Sequence, residues 1–169
     1  PRSAARGTAS ASGNTEANDM LKRLSVITVL LGLLGCAGLR TDHPQEFSYS
    51  APGNVWATPD AQTEAGRISA LLPGSIAAVQ SKLGRGPHSF NVLVCRSECF
   101  ASHVPVTGAA AAQTGPYVFV NAEMVDRADM QAVLIHELTH RVLEEQRGAD
   151  LHKVPEWANE ALAVWVSGV

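Results

Sequence analysis

Hydrophobic positions along the chain fall into blocks divided by polar, glycine-rich or proline-rich stretches. Leu24 to Leu34 is a mostly apolar run, interrupted only by Ser25, Thr28 and Gly32. Further on, Ile68, Leu71, Leu72, Ile76, Val79 and Leu83 recur at three- and four-residue spacing, the period of one helical face, in a segment opening near Asp60. Pro73-Gly74 interrupts that spacing and predicts two short helices or one kinked helix. Phe90 to Cys95 follows Gly84-Arg85-Gly86-Pro87 and reads as the first strand, with a short helix expected over residues 96–103. Val104 to Thr114 is small and alanine-rich, closed by Gly115-Pro116, and Tyr117-Val118-Phe119-Val120-Asn121 is a clear strand. An acidic stretch with Asp126 or Asp129 as N-cap leads into a mostly apolar helix through Ala132 to His140. After a polar turn from Gly148 to Lys153, Pro155 and Gly168 bracket a last apolar helix.

Composition places these elements. Residues 1–19 are rich in Ala, Ser, Gly and Thr, lack aromatics, and read as a disordered extension or an over-called start. Residues 20–35 have the layout of a bacterial lipoprotein signal, with Met20, basic Lys22-Arg23, the apolar run, and Leu33-Leu34-Gly35-Cys36 as a cleavage box. The run is short for a bilayer span, which ranks an uncleaved signal anchor below the lipoprotein reading, and a buried helix of the fold ranks below both. Cys36 is then the lipidated first residue, which implies attachment to the membrane of the cell envelope, facing the periplasm or exterior. Residues 36–59 hold several prolines and glycines and are expected to be a tether, leaving 60–169 as a single domain. His43, inside that tether, is expected to be solvated. From Cys36 onward, nine Lys and Arg stand against fourteen Asp and Glu, with no basic stripe, which argues against nucleic-acid binding.

The chemistry concentrates in His136-Glu137-Leu138-Thr139-His140, an H-E-x-x-H motif on the penultimate helix. Residues four apart share a helical face, so His136 and His140 can grip one ion, and two neutral imidazoles suit zinc. Glu137 points beside that ion, where a carboxylate can take a proton from water. Arg141 is unexpected on so apolar a helix and needs solvent or an acidic partner such as Glu145. A third ligand is expected from Glu160, an acidic residue among Trp157, Ala161, Val164 and Trp165 that needs a compensating partner.

H-E-x-x-H followed by a glutamate in a W-x-x-E-x-L-A context resembles the gluzincin group of zinc metallopeptidases, and in particular its small peptidase MA-like members. The resemblance covers about residues 117–168. It implies a small zincin-like α+β domain, in which a short sheet with an edge strand packs on an active-site helix and a glutamate-bearing helix follows. It also implies His136, His140 and Glu160 as Zn2+ ligands, Glu137 as general base, and a peptide or protein substrate. By the same resemblance, residues 117–121 form the strand along the cleft, with Tyr117 and Phe119 as substrate contacts; an interior strand is the alternative. Ala161 stands where the family often has glycine, and many relatives carry, beyond the glutamate helix, a further helical region with a transition-state donor that residues 1–169 do not include. Tyr117 and His103 are the remaining candidates for that role.

Cys95 and Cys99 are expected to form a local disulfide or to serve as alternative ligands. Peptide deformylases do pair H-E-x-x-H with an upstream cysteine, but their E-G-C-L-S motif is absent here, so Glu160 ranks above both. From another functional class, a non-catalytic zinc-binding lipoprotein acting as a scaffold remains the rival to a peptidase. An intact Glu137 weighs against it, because a purely structural zinc needs no base beside its histidines.

Overall fold

The computed structural model describes residues 43–168. The expected extension 1–19, the expected signal 20–35 and the lipidation candidate Cys36 lie outside them. Among the described residues five strands form one mixed sheet and four α-helices accompany it. Strands β1 (Tyr49–Ala51) and β2 (Val55–Ala57) lead into helix α1 (Gln62–Leu83), strand β3 (Asn91–Cys95) and helix α2 (Ser97–His103). Strands β4 (Ala111–Thr114) and β5 (Tyr117–Asn121) precede the long helices α3 (Met130–Arg147) and α4 (Glu156–Ser167). The sheet order is β1-β2-β3-β5-β4, with β2, β3 and β5 parallel and the outer strands antiparallel to their neighbours. The domain is thus a small mixed α and β fold. Among the described residues no helix is long and apolar enough to cross a membrane.

Strand alternation divides the interior into two apolar layers. Val92 and Val94 of β3 and Val118 and Val120 of β5 face a core shared with Ile68, Leu72 and Val79 of α1 and Leu134, Leu138 and Val142 of α3. The intervening Leu93, Cys95 and Phe119 face the opposite side and pack with Phe47, Phe100 and Val104. Both central strands are therefore covered on two faces, which is why they read as unbroken apolar runs.

Two expectations need correction. Residues 36–59 are not a tether throughout: Phe47, Val55 and Ala57 are fully buried, and β1 and β2 join the sheet. Prolines and glycines here make the tight turn between two short strands, with Gly53 and Asn54 both at positive φ. His43 is not simply solvated, since its ring stacks on Trp56 at 3.9 Å between centroids. Of the two readings of Pro73-Gly74, two short helices or one kinked helix, the structure has one helix, α1, running through both residues. Both residues are exposed, while Ala65, Ile68, Leu72, Ser75 and Val79 keep one continuous stripe buried, so packing holds the helix together where Pro73 removes a hydrogen bond.

Candidate metal centre

Helix α3 packs against β4, and the segment Gly148–Lys153 lets α4 fold back against α3. Leu134, Leu138 and Val142 anchor α3 in the core. On its cleft-facing side this leaves His136 and His140, one turn apart, with ring centroids 4.7 Å from each other. Val166 and Ala163 bury the inner side of α4, and Glu160 projects toward the histidines.

The three side chains converge. His136 Nε2 and His140 Nε2 stand 3.0 Å apart, and the Glu160 carboxylate oxygens lie 3.3 Å from each of them. Ligands of a tetrahedral ion with bonds of about 2.0–2.1 Å are about 3.3 Å apart, so this triangle has the dimensions of three zinc ligands. Chemistry agrees with size. Asn159 Oδ1 is 3.1 Å from His140 Nδ1. A carboxamide oxygen only accepts, so Nδ1 must donate, and in the neutral ring the lone pair is then on Nε2, the atom facing Glu160.

Glu137 is nearly buried, with 9 % of its surface exposed. Its Oε2 accepts the backbone N–H of Gln113 on β4 at 2.8 Å. Burial raises the carboxyl above its ordinary range, and the nearby His140 and His136 and the Gln113 N–H offset part of that rise. His136, Glu137, His140, Asn159 and Glu160 line a cavity of about 360 Å³, closed on the other side by Ala111, Ala112 and Gln113 of β4.

Other expectations fall elsewhere. The strand along the cleft is β4, and β5 lies inside the sheet between β3 and β4. An alanine-rich segment shows no β-branched signature, whereas Val118-Phe119-Val120 is the apolar run of an interior strand. Tyr117 and Phe119 consequently point away from α3 into the second layer and do not line the cavity. His103 is also on that side, stacked on Phe119 and paired with Glu46 at 2.6 Å. Neither proton-donor candidate is among the residues that line the cavity with the histidines. Cys95 and Cys99 form a disulfide with Cα atoms 5.9 Å apart. That bond removes both as thiolate ligands, and it also excludes the second cluster that could have gathered around Cys99, Glu46 and His103.

Arg141 has the expected partner Glu145 at 3.0 Å, and also Glu144 at 2.8 Å. The sequence reading missed Asn159 and Gln113. A polar residue beside Glu160 on an otherwise apolar helix was an available signal for the first. For Gln113 the working group is a backbone N–H, which no residue type announces. No family model, curated protein or solved structure matches the chain, so its function rests on this geometry.

Proposed function

We propose that this domain is a zincin-like metallopeptidase that hydrolyses peptide bonds, held at the envelope membrane by a lipidated Cys36. The observation carrying the reading is the 3.0–3.3 Å triangle of His136, His140 and Glu160 with Glu137 beside it in the same cleft. His136, His140 and Glu160 would hold the ion, with Asn159 fixing the tautomer of His140. Zinc, when bound, would supply positive charge that polarises a carbonyl and makes water more acidic.

The chain's own residues account for the rest. Glu137 takes a proton from the attacking water and delivers it to the departing amine, a transfer suited to a carboxyl whose proton affinity burial has raised. Gln113 N–H orients that carboxylate from the strand side. A peptide running along the outer edge of β4 can add its backbone to the sheet, which presents the scissile bond between strand and helix.

The test measures zinc content and peptide cleavage in the wild type, Glu160→Ala and Glu137→Ala. One zinc per chain is expected in the wild type and Glu137→Ala, with most of it lost in Glu160→Ala and cleavage lost in both variants. Wild type without zinc, or Glu160→Ala with its full content, overturns the site. A zinc-loaded wild type that cleaves no peptide would instead mark a binding module. For the anchor, Cys36→Ser should move the protein from the detergent phase to the aqueous phase; unchanged partitioning overturns lipidation.

A further inference from the structure

The C-terminal half of α3 carries a polar cluster that the metal centre does not use. Arg141, with 13 % of its side chain exposed, donates from Nε to the Ser89 carbonyl at 2.9 Å and to Glu145 at 3.0 Å. Its Nη1 donates to the Gly115 carbonyl at 3.2 Å and to Glu144 at 2.8 Å. Glu145 in turn accepts the backbone N–H groups of His88 and Ser89 at 2.9–3.1 Å. Gln113 closes the network: its Nε2 donates to the Gly115 carbonyl and to Glu144, both at 2.6 Å. The backbone N–H of the same residue is the donor to Glu137.

We propose that Arg141 is a positioning residue: with Glu144 it grips the turn between β4 and β5 and, through Gln113, holds the edge strand against α3. The Gln113 N–H then stays on the Glu137 carboxylate and the cleft keeps its width. The consequence for catalysis rests on the peptidase reading; the mechanical role does not.

Three features of the fold call for such a device. Strand β4 has four residues and one ladder neighbour, β5, so it belongs to the part of a sheet that opens first. Its turn passes through Gly115 at φ +55°, a conformation that only a few residue types adopt readily. Glu137, Arg141, Glu144 and Glu145 fall four, seven and eight residues apart, on one helical stripe facing that strand. Arginine is the residue that can satisfy the cluster. A planar fork with five donors reaches two carboxylates and two carbonyls at once, whereas an ammonium cannot span them.

The test uses the zinc-supplemented full chain with Arg141→Lys, which keeps the charge and loses the fork, and Gln113→Ala, which keeps the N–H and loses the side-chain link. Amide hydrogen exchange over residues 111–116 should accelerate roughly tenfold in both, the order lost with one charge-assisted hydrogen bond. Zinc content should stay at one per chain. The kcat for peptide cleavage, counted per folded and zinc-loaded chain, should fall by a similar factor with a smaller change in KM; counting only folded chains removes the fall in apparent kcat that a loss of general stability alone would give. Unchanged exchange over 111–116 in both variants overturns the clamp, as does loss of zinc in both. A wild type that cleaves no peptide overturns the peptidase reading, and exchange together with zinc content then decides the clamp.

Discussion

Asn159 is the sharpest probe of the centre, because it touches only one ligand and holds no charge. Its Oδ1 accepts from His140 Nδ1 at 3.1 Å, and 12 % of the His140 side chain is exposed. In Asn159→Ala the imidazole loses the partner that selects its tautomer and fixes its plane. Removing such a partner typically weakens metal binding 10–100-fold. That is about 1.4–2.8 kcal/mol. Asn159→Asp is the informative companion, since a carboxylate oxygen still accepts from Nδ1–H and should keep the affinity within a few-fold of the wild type. Competition against a chromophoric chelator gives the affinities, and circular dichroism checks that both variants are folded. Binding by Asn159→Ala within twofold of the wild type, or equal losses in the two variants, would refute the role assigned to this hydrogen bond.

Two further outcomes test the frame around the site. Phe47→Ala should cost about 3–5 kcal/mol in urea unfolding, because the side chain is fully buried in the second apolar layer; a loss below about 1 kcal/mol would return this segment to a tether. Reducing the Cys95–Cys99 disulfide should lower stability by about 2 kcal/mol, the entropy of its short loop, and leave zinc content unchanged, since the bond lies on the side of the sheet away from α3; loss of zinc on reduction would contradict that layering.

The site was legible wherever a residue type carries its own chemistry. Two histidines one turn apart, a glutamate between them and an acidic residue in an apolar helix are visible without coordinates, and so are the helix boundaries at Pro155 and Gly168. What misled were positions whose meaning depends on neighbours. Prolines near the start of the fold suggested a loose segment, yet Phe47 and Val55 drive that same segment into the core.

Local periodicity and side-chain chemistry therefore determined the long helices, the central strands and the cast of candidate ligands. Only the tertiary structure decided which strand borders the cleft. Register sends alternate residues of a strand to opposite faces, so Tyr117 and Phe119 turn away from α3 while the featureless Ala111–Thr114 becomes the edge. It also decided that Gln113 lends a backbone N–H to Glu137 and that Arg141 binds a turn 26 residues distant in sequence. Such contacts join segments far apart in the chain, and no local pattern encodes where a backbone donor or a guanidinium will find its partner.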